Sequence, residues 1–147
     1  MASSHALATL MELVERELEQ AAERLGHANR TLMEAEEKGG MLYGYRQDYV
    51  DNFATMAGKG LPKEAYGNYQ NFLGKLEQAI QGQQEVIVNA RYQVEKEREL
   101  WQEVQRKKLS YEVLIKRQEK KAHQQAQRKD QKMMDEYALR AKHKKHG

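Results

Sequence analysis

The sequence predicts an all-α fold, a long two-helix antiparallel coiled-coil hairpin with a projecting C-terminal single helix. Three observations carry that expectation. Apolar residues recur with a seven-residue period on both sides of one breaker cluster. The two apolar lists pair across that cluster with a nearly constant sum of residue numbers. The composition, 39% hydrophobic and 32% charged over 147 residues, is too polar for a compact globule of this length, which wants nearly half its residues apolar.

The first helix is expected over about 4–57. Stepping alternately four and three residues from Leu7 gives Met11, Val14, Leu18, Ala21, Leu25, Ala28, Leu32, Ala35, Gly39, Leu42, Arg46, Tyr49, Phe53 and Met56. Only Gly39 and Arg46 interrupt the apolar set. A strict seven-residue repeat over this length marks a coiled-coil seam, because an ordinary amphipathic helix drifts off it. The turn is expected at 58–61. The chain's single proline closes Ala57-Gly58-Lys59-Gly60-Leu61-Pro62, where Gly58 suits a helix C-terminal cap and Pro62 the first turn of the next helix.

The second helix is expected over about 62–143. Its seam reads Ala65, Tyr69, Phe72, Leu76, Ala79 or Ile80, Gln83, Ile87, Ala90, Val94, Glu97, Trp101, Val104, Lys108 and Tyr111, with a stutter between Leu76 and Ile80. Leu7 with Tyr111, Val14 with Val104, Ala28 with Ala90, Leu42 with Leu76, Tyr49 with Tyr69 and Phe53 with Ala65 each sum to 118, while Leu18 with Trp101, Leu25 with Val94 and Leu32 with Ile87 sum to 119. A constant sum belongs to an antiparallel pair folded near residue 59, where the loop chemistry independently puts the turn. The whole chain, 1–147, reads as one coiled-coil domain. Its overhang begins at about 112 and projects for about 45 Å at a rise of about 1.5 Å per residue.

The same residues exclude several function classes. With no cysteine, disulfides, thiolate metal sites and thiol catalysis are ruled out. A reducing, cytoplasmic setting fits. No apolar run reaches membrane-spanning length, and MASSHALATL lacks the pattern of a secretory signal. The five histidines are scattered, and His143 and His146 flank two lysines, so a solvated tail outweighs a metal site. Gly39 and Gly44 have Walker-like spacing, but Tyr45 and Arg46 stand where Lys and Ser/Thr are needed. Asn29-Arg30-Thr31 is a chance sequon. No enzyme activity, cofactor or metal is expected.

Three features invite partners. Glycines cluster on both arms (Gly39, Gly40 and Gly44; Gly67, Gly74 and Gly82), marking close helix approach, bending or a bared surface. Around them lie Leu42, Tyr43, Tyr45, Tyr49, Phe53, Tyr66, Tyr69 and Phe72. Two helices cannot cover so many rings, so part of the patch is expected to be exposed, as at protein contacts. From Ile115 onward there are eleven basic and four acidic residues. This tail ends in the short apolar stripe Met133, Met134, Tyr137, Ala138 and Ala141, a candidate for insertion into a partner. Nucleic acid is a rival ligand for the tail, and a purely structural arm is a second rival reading. Aromatics are absent from the tail until Tyr137, however, and Asp130, Asp135 and Glu136 interrupt its charge.

Three ordered stretches give a more specific resemblance: Ala35-Glu36-Glu37 with Met41-Leu42 and Tyr45; Asn68-Tyr69-Gln70 with Phe72 and Leu76-Glu77-Gln78-Ala79-Ile80; and Asp130-Gln131-Lys132-x-Met134-Asp135-Glu136-Tyr137-Ala138-x-Arg140-Ala141. The chain resembles the FliJ family of the bacterial flagellar type III export apparatus over essentially its whole length. The resemblance implies a stalk-like protein that enters the hexameric export ATPase and contacts the cytoplasmic linker of the membrane export gate protein. It also implies that the chain binds and recycles export chaperones. The setting implied is the cytoplasmic face of the inner membrane, reached only through protein partners and without nucleic acid. The family's gate-contacting patch falls on Leu42, Tyr45, Tyr49, Phe72, Leu76 and Ala79. Lys38 stands where the family pattern has an amide, and Gln83 where it has a histidine. Met133, Met134, Tyr137 and Arg140 are the candidate ATPase contacts.

Overall fold

The structure, a computed structural model, describes residues 2–146 and the side chains of 4–144. Two helices account for it: α1, Ala2–Ala57, and α2, Lys63–His146. No strand occurs among the described residues. The all-α, two-helix expectation therefore holds.

The turn corrects one detail. Gly58 keeps a helical bond, donating its N–H to Ala54 O at 3.2 Å. The last turn then tightens, with Lys59 N–H to Met56 O and Gly60 N–H to Ala57 O, both at 3.1 Å. The left-handed residue is Gly60, with φ 87°. Gly60, not Gly58, is thus the position where a Cβ would be strained. Pro62 precedes the first helical residue, and its carbonyl accepts from Ala65 N–H at 3.0 Å. Its fixed φ suits this position, and Glu64 in the first turn of α2 complements the helix dipole.

The helices pack in two compact units, one formed by residues 19–102 and the other by 1–18 with 103–147. In the first unit the core is Ala21, Ala28, Ala35, Ile80, Ala90 and Val94, all buried. Four alanines at the seam let the backbones approach closely. At Gly39 an added Cβ would lie 3.0 Å from Ile87 Cδ1, so this glycine makes a close approach. Gly40, Gly44, Gly67, Gly74 and Gly82 face open space instead. Gln83 is the buried polar residue of this core, and its amide donates to Ala35 O at 2.9 Å. That bond removes the cost of burying an unpaired amide, about 1–3 kcal/mol. The pairs Arg46–Glu77, Arg91–Glu36 and Arg24–Glu97, at 3.3–3.5 Å, bridge the arms in antiparallel order. Each is partly exposed and contributes little.

The seam of α1 runs as its spacing predicts, except that Met56 is 54% exposed. The seam of α2 differs near the turn. Leu73 is half-buried whereas Phe72 is 47% exposed, and Ile80 is buried whereas Ala79 is exposed. The in-facing order is therefore Ala65, Tyr69, Leu73, Leu76, Ile80. This four-four-three spacing is an eleven-residue repeat that relaxes the left-handed supercoil. The irregularity lies beside the turn, not between Leu76 and Ile80.

In the other unit Val14 is buried to 1% exposure, and burial of such a side chain stabilises by about 1.5–3 kcal/mol. Lys107 reaches Glu17 at 3.4 Å. Ile115 and Gln118 are half-buried and share a groove with Ser4 and Ala8. From Glu119 through Lys144 every side chain is exposed. The side chains of Lys145 and His146 lie outside the described set.

Candidate protein-docking surfaces

The aromatic cluster is built by the end of α1 and the start of α2. Tyr49 stacks on Tyr69 with ring centroids 5.2 Å apart and tilts against Phe72 at 4.6 Å. Phe53 stacks on Tyr69 at 3.7 Å and meets the edge of Tyr66 at 5.3 Å. The Tyr49 pairs and the Phe53–Tyr66 pair have the separations that aromatic pairs prefer, whereas Phe53 and Tyr69 stack face to face at closer range. The rings are too large for the narrow interface below them. Tyr49, Phe53 and Tyr69 are half-buried, while Tyr66 and Phe72 keep 44% and 47% of their surface.

The six residues singled out for the gate fall into two sets. Leu42, Tyr49 and Leu76 are half-buried seam residues, and Tyr45, Phe72 and Ala79 are exposed. The seam positions form a floor and the exposed residues its accessible edge. Tyr45 is 55% exposed, in keeping with its place off the seam. Phe72, expected inside the seam, stands at its border.

Tyr43 belongs elsewhere. Its hydroxyl accepts from the Gln84 side-chain amide. Together with Glu36, Gly39, Gly40, Ile87, Val88 and Arg91, these two residues line a groove of about 380 Å³. Relative to the seam, Tyr43 follows Leu42 and Tyr45 precedes Arg46, so the two tyrosines flank it on opposite sides. The composition of the cluster hides this split, but the heptad positions reveal it. Val88 and Tyr92, 61% and 68% exposed, were not singled out from the sequence. Only their position off the seam signals them.

A groove with a largely polar lining runs beside the alanine seam. Ala28 and Ala90, with Glu23, Arg24, His27, Thr31, Gln93 and Glu97, line its volume of about 460 Å³. Glu97 Oε2 is buried without a hydrogen bond, and Arg24 Nε lies 3.5 Å away.

The tail candidates lie on α2 where nothing covers it. Met133, Met134 and Tyr137 are 60%, 67% and 76% exposed, and Arg140 is exposed beside them. At 100° per residue, Met133, Tyr137, Ala141, Met134 and Ala138 fall within one arc of about 140°. Leu139, 68% exposed, points off that arc. Among the described residues no group of acids and histidines is placed to hold a metal, and no helix is long and apolar enough to cross a membrane.

Comparison with known proteins gives matches that cover nearly the whole chain. The profile of the family described as "Flagellar FliJ protein" matches residues 3–147. The chain is 36% identical over 141 residues to the flagellar FliJ protein of Salmonella typhi, covering 96% of each chain. It has the same identity and coverage with that of Escherichia coli (strain K12). On this full-length match, the chain belongs to the flagellar FliJ family.

Proposed function

We propose that this component of the flagellar export apparatus acts as a non-enzymatic stalk and adaptor with different partners at separate surfaces. The exposed edge formed by Tyr45, Phe72 and Ala79, floored by Leu42, Tyr49 and Leu76, contacts the cytoplasmic linker of the export gate protein. The tail stripe of Met133, Met134 and Tyr137, with Arg140, engages the hexameric export ATPase. Export chaperones are a third class of partner. The chain works at the cytoplasmic face of the inner membrane and reaches it through proteins alone, without a cofactor.

One observation carries this reading. Large aromatic side chains are displayed at the border of a two-helix seam that has no third layer to cover them. Exposed apolar patches mark contact surfaces, and interface cores are enriched in aromatics. The fully exposed tail is likewise a helix with an apolar arc and nothing of its own to bury it against.

The experiment separates the two surfaces. Truncation before Met133 should lower stimulation of the export ATPase while gate-linker affinity holds. Phe72→Ala should do the reverse. Joint loss in either variant with helicity intact, or unchanged ATPase stimulation after truncation, contradicts the division. Binding of mixed-sequence RNA by the tail at physiological salt, with no ATPase response, would favour the nucleic-acid reading instead.

A further inference from the structure

A different surface lies on α2 between Arg106 and Lys120. Arg106, Leu109, Ser110, Val113, Lys116, Arg117 and Lys120 are all exposed. Their spacing of three and four puts them along one line of the helix. The in-facing residues of the same stretch are Lys108, Tyr111, Ile115 and Gln118, each half-buried. The stripe therefore looks away from the seam. Leu109 and Val113, one turn apart, are 56% and 47% exposed.

The charges within this stripe have one sign. Arg106, Lys116, Arg117 and Lys120 frame the aliphatic pair, and the stripe contains no acid. The acids of the stretch, Glu112 and Glu119, are seven residues apart and run along one edge of the stripe, beside Lys116. Among the described residues no carboxylate pairs with the four cations; the nearby ion pair, Glu17 with Lys107, lies outside the stripe.

Each anionic partner class makes a different demand. Single-stranded nucleic acid uses cations with aromatic stacking platforms, and the stripe has no ring. A helix lying in a bilayer interface presents a whole apolar face, whereas this one has two aliphatics amid four cations. A protein helix with two apolar side chains one turn apart and carboxylates on either side matches both features. We propose that the Arg106–Lys120 stripe docks an acidic amphipathic helix of a partner protein, with Leu109 and Val113 as the apolar anchors.

The test uses the full chain and a labelled synthetic helical peptide with leucines four apart flanked by glutamates. A peptide of the same composition with the leucine spacing scrambled serves as control. Fluorescence anisotropy should show at least tenfold tighter binding of the patterned peptide. Leu109→Ser with Val113→Ser should remove that advantage, as should Lys116→Glu with Arg117→Glu, while Met133→Ser with Met134→Ser leaves it. Circular dichroism checks helicity, and the milder Leu109→Gln should lower affinity severalfold even if the double variant loses structure. Polyuridylate and phosphatidylglycerol vesicles should bind the wild type and the Leu109 variant equally. The proposal is overturned by equal binding of the two peptides, by unchanged affinity in Leu109→Gln, or by a Leu109 effect confined to RNA or vesicles.

Discussion

Two stretches of one seam behave differently. Between Ala21 and Ala35 the in-facing alanines are almost wholly buried, at 0%, 8% and 7% exposure. Between Leu42 and Phe53 the in-facing positions are only half-buried, and rings spill over the border. At the alanine positions small side chains let the two helices close, while Leu25 and Leu32 between them stay half-buried. Large rings hold the helices around a cluster that two helices cannot enclose. The alanine stretch holds the hairpin together, and the aromatic stretch combines packing with display. The helical glycines follow the same division. Gly39 sits where the approach is close, whereas Gly44 and Gly74 face open space in the aromatic stretch. An exposed helical glycine costs about 1 kcal/mol relative to alanine.

The strongest way to break this contrast is a charge in the closed part. Val94 is 4% exposed, so Val94→Asp buries an unpaired carboxylate and should cost about 3 kcal/mol or more. Thermal unfolding followed by circular dichroism should fall sharply, with every partner affinity lost together. A stable Val94→Asp protein would mean that the alanine seam opens readily to water.

A middle-sized effect is expected where packing and display meet. Tyr49 lies against both Tyr69 and Phe72. Its truncation to Ala should cost about 2 kcal/mol in urea unfolding, less than a fully buried aromatic because the ring is half-exposed. Since Phe72 leans on Tyr49, a double-mutant cycle between them should show coupling. Additive losses would show that the cluster is not a unit.

The glycines give the smallest effect and the sharpest contrast. Gly44→Ala and Gly74→Ala should each raise stability by about 0.5–1 kcal/mol, because the new methyl meets nothing. At Gly39 the methyl would press on Ile87, so the gain in helix propensity is offset and the melting temperature should not rise. Equal stabilisation at all three sites would show that the seam is as slack at Gly39 as at the tip.

Much of the fold was legible because a seam is a counting pattern. The positions from Leu7 through Phe53 are the in-facing ones, and Gln83 in its contact with Ala35 obeys the same sum as the apolar pairs. The count failed beside the turn. There, four-four-three spacing brings Leu73 inward and leaves Phe72 at the border, and the two spacings differ by one residue among neighbouring apolar side chains. Gly60 was missed as the left-handed residue because two glycines flank Lys59 and only the backbone path decides between them. For the candidate surfaces, composition located the aromatic cluster but not the separation of Tyr43 from Tyr45. Composition alone does not tell Gly39 from the open glycines either, but the seam count does, since Gly39 alone among them stands at a seam position and meets Ile87 across the interface.

The central claim is that the aromatic border serves a partner while the seam beneath it holds the hairpin, and Tyr45→Ala tests it most directly. Tyr45 is exposed and off the seam. Its loss should change folding stability by less than about 1 kcal/mol and weaken binding of the gate protein's cytoplasmic linker by about 2 kcal/mol. Calorimetric titration of the variant with that linker, beside its thermal unfolding and its stimulation of the export ATPase, is the measurement. The account predicts a selective loss of linker affinity with unfolding and ATPase stimulation nearly unchanged. Early unfolding with simultaneous loss of both partners, or wild-type linker affinity, would contradict it.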